Sequence, residues 1–121
     1  MFFYYYQAQL ERVVDGDTIY ALVDLGFDIW KRVNIRLDGI DAFESRTRDL
    51  VEKEKGLKAK SRLTELLEST DGKFELKSKG VDKYGRCLGE IKLTKNVNNH
   101  INVNQLLIEE GHAKEYHGGK R

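Results

Sequence analysis

Three short stretches of this chain carry carboxylates and guanidinium groups at spacings that suit phosphate chemistry. The first, Asp15-Gly16-Asp17-Thr18, is a turn dipeptide followed by a second carboxylate. The second holds Asp41 and Glu44 three residues apart, and in a tight turn such a pair can aim both side chains into one pocket. Ca²⁺ takes about six to eight oxygen ligands from carboxylates, backbone carbonyls and water. Asp17 and Asp41 could supply two charged ligands, and a backbone carbonyl near Ala42 a neutral one. Nothing competes for a soft metal: His100, His112 and His117 lack zinc-type spacing, and Cys87 is the one cysteine. Taken alone, Asp15-Gly16-Asp17 reads better as an ordinary turn.

The third stretch, Asp82-Lys83-Tyr84-Gly85-Arg86, ends on an arginine; Arg36 lies a few residues before Asp41. A planar guanidinium grips phosphate oxygens in pairs, although either arginine alone is more often a surface ion pair. Tyr84, beside Gly85, is expected to be exposed in a loop, where it could stack on a base or cap the end of the fold. Lys77, Lys79 and Lys83 surround it as a local basic patch. Lys55, Lys58, Lys60 and Arg62 read as a solvated helix face.

The elements that must position these groups follow from periodicity. A run from about Tyr4 to Val14 precedes the Asp15-Gly16 turn; Ile19, Ala21, Val23 and Leu25 then alternate with mostly polar neighbours. After a turn at Gly26 to Asp28, Ile29, Val33, Ile35 and Leu37 share one strand face, and Trp30, Arg32, Asn34 and Arg36 the other. Regular alternation would put Arg36 and Asp41 on opposite sides, so a break is expected at Asp38-Gly39. Asp41 to Lys55 reads as a long charged loop, either functional or a solvated insertion. Helical spacing begins after Gly56, with Ala59, Leu63, Leu66, Leu67 and Thr70, and Asp71-Gly72 ends it. Phe74, Leu76 and Ser78 alternate as a strand. So do Cys87, Gly89, Ile91 and Leu93 after a loop at Gly80 to Gly85. Val103, Leu106, Leu107 and Glu110 suggest a short helix stopped by Gly111. The order β-β-β-α-β-β-α suits an α+β, mainly β fold: a five-stranded barrel on the oligonucleotide-binding (OB-fold) plan, with two or three helices packed against it.

Composition bounds the rest. The 121 residues fit one domain, 1–121, with no proline, repeat or linker-like stretch. Basic and acidic residues number 21 and 20, so net charge argues for no polyanion partner and any nucleic-acid footprint must be local. One cysteine allows no intramolecular disulfide and suits a reducing compartment. The aromatic start, Met1 to Tyr6, lacks the marks of a signal peptide, and no stretch approaches the roughly 20 apolar residues of a membrane span. A cytoplasmic, soluble monomer is the expectation.

Together the stretches carry a resemblance that none carries singly. Val13-Val14-Asp15-Gly16-Asp17-Thr18, Ile35 to Glu44 and Asp82 to Arg86 occur in the order of the three signature motifs of the staphylococcal nuclease (thermonuclease) family, which they resemble. Val103-Asn104-Gln105-Leu106-Leu107 and Gly111-His112-Ala113 resemble that family's next helix and the segment after it, so the likeness runs from about Arg12 to Ala113. The ending, Glu115 to Arg121, looks like that of short bacterial and phage members, which suggests a phage, prophage or plasmid origin. The resemblance implies Ca²⁺-dependent hydrolysis of phosphodiester bonds in DNA and/or RNA. It implies metal carboxylates at Asp17 and Asp41, a carbonyl ligand at Ala42, and a carboxylate engaging the attacking water at Glu44. Arg36 and Arg86 become the phosphate-gripping arginines and Tyr84 a nucleotide-pocket residue, with Lys83 beside it against substrate. Phe43 stands where the family often has proline, and a pocket tyrosine expected near His117 is matched only by the neighbouring Tyr116. The third helix of longer members is missing. The alternative is a non-catalytic nucleic-acid-binding barrel, whose decay should have erased Asp17, Asp41 or Glu44; all three are present. A protein-interaction barrel would bind no calcium.

Overall fold

Alternating apolar residues build a meander over the first third of the chain. The structure, a computed structural model, describes residues 4–116. β1 (Tyr4–Asp15), β2 (Thr18–Asp24) and β3 (Trp30–Leu37) pair antiparallel in sequence, with Val13 opposite Ile19 and Ile19 opposite Ile35. There follow β4 (Ile40–Ala42), α1 (Leu50–Glu68), β5 (Lys73–Val81), β6 (Cys87–Asn96), β7 (Asn99–Asn102), α2 (Val103–Glu109) and β8 (Ala113–Glu115). β5 pairs with the free edge of β1 and with β6; β6 then runs parallel to β3, matching Ile35 to Cys87 and Arg36 to Leu88. The circuit β1-β2-β3-β6-β5 is a closed five-stranded barrel with two helices against it among the described residues, the expected OB-type architecture. Closure leaves these five strands no free edge.

Ile19, Ala21, Val23, Ile35, Leu37, Leu76, Ile91 and Leu93 fill the barrel, and Leu63, Leu66, Leu67, Val103 and Leu107 close it from the helices. Each of the valine, isoleucine and leucine side chains contributes about 1.5–3 kcal/mol on full burial. Leu25 and Ile29, expected on the inward face, are instead exposed at the β2–β3 hairpin tip, beyond the point where the sheet covers a core. No helix of the described residues is long and apolar enough to cross a membrane.

The helix boundaries depart from the periodicity. α1 begins at Leu50, not after Gly56, and so takes up part of the expected charged loop. Asp49 caps it, its Oδ1 accepting from the Val51 and Glu52 amides at 3.0 and 3.3 Å. Its first two turns expose Leu50 and Val51 and bury no apolar side chain, so they carry no amphipathic pattern. β4, β7 and β8 have three, four and three residues, too few for alternation to declare them. Arg62, expected to be solvated, grips Glu110 through two nitrogens at 2.7 and 2.9 Å and thereby ties α1 to the end of α2. The expected pocket position near His117 lies outside the described residues.

Asn104 on α2 is buried, and it fastens the far side of the barrel. Its Nδ2 donates to the Asp38 and Gly89 carbonyls at 2.8 and 3.0 Å, and its Oδ1 accepts from the Ile91 amide at 3.1 Å. Truncation would strand the buried Ile91 N–H and the Asp38 carbonyl, each worth about 1–3 kcal/mol when left unsatisfied, while the Gly89 carbonyl keeps the Asp38 amide. Asn104→Ala is therefore expected to lower unfolding stability by at least about 2 kcal/mol in urea titration. A variant as stable as the wild type would mean that water replaces the side chain without loss.

Candidate functional site

The site starts where β3 stops. Gly39 adopts φ +81°, a left-handed conformation open to glycine, and turns the chain between β3 and β4. The Leu37 amide donates to the Asp17 carbonyl and the Asp38 amide to the Gly89 carbonyl, both at 2.8 Å, so the turn is held from two sides. This is the expected break at Asp38-Gly39, and it resets the alternation. Arg36 and Asp41, opposed on a regular strand, now meet at 3.6 Å.

Arg36 is 6% exposed, and a guanidinium keeps its charge even when buried. It must therefore be paired. Nη1 lies 3.5 Å from Asp17 Oδ2 and donates to the Leu37 carbonyl at 2.9 Å, while Nη2 faces Asp41. Asp17, 8% exposed, also accepts from Thr18 Oγ1 and from the Ala42 amide, each at 2.9 Å. Asp17, Arg36, Asp41 and Ala42 thus form one group, built from the β1–β2 turn, β3 and β4. Two carboxylates against one guanidinium leave a formal charge of −1, and every donor is a hard oxygen. That chemistry fits a hard divalent cation with carbonyl and water ligands completing its shell.

Glu44 does not join this group. It is exposed, and among the described residues no three acidic, His or Cys side chains gather closely enough to hold a metal by themselves. Its backbone is nevertheless fixed on both sides. Ahead of it, the Ala42 amide is held by Asp17. Behind it, buried Ser45 donates a hydrogen bond to Asp15 Oδ1, and Arg46 lies 3.6 Å from Asp15 Oδ2. Beneath it, α1 approaches so closely that a Cβ on Gly56 would sit 2.2 Å from the Glu44 carbonyl oxygen. Phe43 is half-buried, with Lys55 Nζ 5.2 Å from its ring centroid. The sequence reading took Asp15 as part of a turn and Gly56 as a helix boundary, and it did not single out Ser45. The one available signal was a glycine inside a helical stretch, which lowers helix propensity and marks a close approach.

The remaining candidates form a second group on the β5–β6 loop. Asp82 organises it: Oδ1 accepts from the Tyr84 and Arg86 amides at 2.9 Å, and Oδ2 from Arg86 Nε at 2.7 Å. Partial burial pushes the Asp82 carboxyl up, but these hydrogen bonds outweigh it and leave the group below the usual carboxylate range. Tyr84 is 71% exposed, with Arg86 Cζ and Lys83 Nζ at 5.4 and 5.2 Å from its ring centroid. The parallel register of β3 and β6 puts Leu88, two residues past Arg86, beside Arg36. The expected basic patch is smaller than its lysine count. Lys77 and Lys79 lie 3.7 and 2.7 Å from Glu90, and Lys79 also 3.2 Å from Asp38, so Lys83 is the member left beside Tyr84.

A family model described as staphylococcal nuclease homologue matches residues 34–121. The chain belongs to the staphylococcal nuclease family. The matched stretch takes in Arg36, Asp41, Glu44 and Arg86, and Asp17 lies ahead of it. Similar proteins extend the likeness over more than nine-tenths of the chain. An uncharacterized protein of Methanocaldococcus jannaschii is 34% identical over 93% of this chain and 60% of its own length. A micrococcal nuclease of Shigella flexneri is 30% identical over 92% of this chain and 59% of its own length. The chain therefore spans about three-fifths of the length of these relatives.

In this nuclease-family site, Gly56 is the position least able to accept a side chain. Alanine is the better helix former by about 1 kcal/mol, but overpacking costs typically about 1–3 kcal/mol. Gly56→Ala is expected to be destabilised in urea titration and to displace the Glu44 segment. A stabilised variant would show that the close contact yields easily.

Proposed function

We propose that the chain is a Ca²⁺-dependent nuclease that hydrolyses phosphodiester bonds in DNA and/or RNA. One observation carries the reading: a buried, obligatorily charged arginine held between two carboxylates, in a chain of a nuclease family. The working unit of the proposal is one domain acting as a monomer.

A phosphodiester is already anionic and resists hydroxide. Asp17, Asp41 and the Ala42 carbonyl would hold the ion. When bound there, Ca²⁺ would supply charge neutralisation and make a nearby water more acidic. Glu44 orients the attacking water and takes its proton as that oxygen bonds to phosphorus. Exposure leaves this carboxylate accessible to water, and Phe43 ahead of it lacks the fixed φ of a proline. Arg36 and Arg86 donate to the equatorial oxygens, and more strongly as negative charge grows there. The P–O bond to the leaving oxygen breaks, and that oxygen takes a proton from solvent water, to which the exposed Glu44 returns the one it accepted. Arginine holds its proton too tightly to be the source, so Arg86 is assigned charge stabilisation alone. Tyr84 stacks on a base and Lys83 pairs with a nearby phosphate.

The rival, a non-catalytic nucleic-acid-binding barrel, draws on Glu44 standing apart from the acidic group. One assay separates the two: release of labelled fragments from single- and double-stranded DNA and RNA, with Ca²⁺ or excess chelator. Glu44→Ala and Arg86→Ala are each expected to lose at least about 10²-fold in kcat/KM with the fold retained. Arg36→Ala should lose at least as much rate. It also leaves two carboxylates without their buried countercharge, so Arg36→Lys and circular dichroism accompany it. Chelator should abolish cleavage. Wild-type turnover by Arg86→Ala would refute its role, and undiminished activity in chelator would refute the metal. Binding without cleavage by the wild type would establish the rival.

A further inference from the structure

The segment that carries Glu44 has no regular structure of its own. Residues 43–49 lie between β4 and α1 and form neither helix nor strand. Glu44 has no side-chain partner among the described residues, so its backbone alone can aim it. One end of the segment is held where Asp17 takes the Ala42 amide. The other is capped onto α1 by Asp49, whose amide also meets Thr47 Oγ1 at 3.3 Å. Between these ends, residues 43–48 have two polar ties to the barrel among the described residues, and both run to Asp15. Buried Ser45 donates to Asp15 Oδ1, and Arg46 lies 3.6 Å from Oδ2. The Arg46 side chain is 76% exposed, so water screens that pair and it contributes little. The Ser45 bond is shielded and runs to a carboxylate, which makes it the stronger tie.

Asp15 itself sits on a platform. It ends β1, opposite Thr18 across the turn. Gly16 in that turn is buried, and a Cβ there would lie 2.7 Å from the Ala59 Cβ and 3.1 Å from the Ala42 Cβ. Ala59 and Gly56 are both buried and lie three residues apart on one face of α1. Gly56 meets the Glu44 backbone. Two small residues thus let the helix seat the β1–β2 turn and the Glu44 segment side by side. The turn then reaches across with two carboxylates. Asp17 takes the Ala42 amide ahead of Glu44, and Asp15 takes the Ser45 hydroxyl behind it. Asp17 also serves the charge of Arg36, whereas the oxygens of Asp15 face Ser45 and Arg46.

We propose that Asp15 is a positioning residue: through Ser45 it holds the Glu44-bearing segment at a fixed place beside the acidic group, and it touches neither substrate nor cation. The inference deepens the nuclease reading and rests on it. A side chain without partners takes its aim from its backbone, and a misplacement of about 1 Å can cost about 10²-fold in rate. The Ser45 bond therefore acts on the step in which Glu44 takes the proton of the attacking water. Binding of substrate and cation is left to other residues. A bond that served the fold alone would behave differently: its loss would lower the rate by the same factor whatever residue stood at position 44.

The test is a double-mutant cycle in the full chain. Ser45→Ala and Asp15→Ala are each placed in the wild type and in Glu44→Gln, and Asp15→Asn, which keeps an acceptor, serves as the milder variant. Cleavage of labelled DNA is followed in saturating Ca²⁺. In the wild-type background kcat should fall at least about tenfold for Ser45→Ala and Asp15→Ala, and less for Asp15→Asn. KM and the calorimetric Ca²⁺ affinity of Ser45→Ala should stay within about threefold, since the lost interaction is made by neither ligand. In the Glu44→Gln background the same changes should cost less than about threefold in kcat, because residues that act through one group are not additive. The full loss in that background would overturn the proposal, as would an unchanged kcat in Ser45→Ala. Backbone ¹⁵N order parameters give a readout that needs no cleavage. Glu44 and Ser45 should stand near about 0.85 in the wild type and fall toward about 0.6 in Ser45→Ala and Asp15→Ala, with β2 and β5 unchanged. A mobile Glu44 in the wild type, unchanged values in the variants, or loosening of the whole barrel would each overturn the anchoring. A wild type that cleaves nothing under any condition sinks the nuclease reading, and loosening confined to residues 43–48 would still establish the anchor.

Discussion

The structure around the candidate site depends on one buried positive charge. Arg36 cannot lose its proton and cannot reach bulk water, so two carboxylates and a carbonyl must come to it. Asp17 comes from the β1–β2 turn and Asp41 from beyond β3, and the Ala42 amide is drawn in by Asp17. Removing Arg36 leaves two carboxylates without their countercharge, which costs more than the pair contributes, whereas removing either carboxylate leaves Arg36 paired with the other. The cluster is therefore a structural knot as well as a chemical one. Its excess negative charge is what a bound cation would relieve.

Three packing features hold the surroundings in place. Parallel pairing of β3 with β6 closes the barrel and sets Leu88, two residues past Arg86, beside Arg36. Asn104 fastens the turn after β3 to β6 from the helical side. Gly56 lets α1 press on the backbone of Glu44, while Asp15 holds Ser45 just beyond. Glu44 itself keeps an exposed side chain on a fixed backbone. This division suits a group that must meet water and a substrate absent from the resting site.

Much of this was legible in the sequence because side-chain alternation and turn chemistry are local. The three-strand meander, the β5 and β6 strands, the Gly111 stop and the break at Asp38-Gly39 follow from period-two patterns and glycine conformations. The family motifs add the partners of each charged residue only through likeness, whereas the meeting of Asp17, Arg36 and Asp41 is a fact of register. What escaped was non-local. The first turns of α1 bury no apolar side chain and leave no helical period. β4 and β8 exist only because each finds the other across the intervening helices and strands. The neutralisation of Lys77 and Lys79 by Glu90 arises from the pairing of β5 with β6, which composition does not show.

The central claim is that the Asp17–Arg36–Asp41 group is a site for a hard divalent cation. Calorimetric titration of the full chain with Ca²⁺ tests it most directly. One binding event is expected in the wild type, weakened by at least about tenfold in Asp17→Asn and in Asp41→Asn, because affinity follows the number of ligand charges. Absence of binding to the wild type, or undiminished binding to both variants, would contradict it.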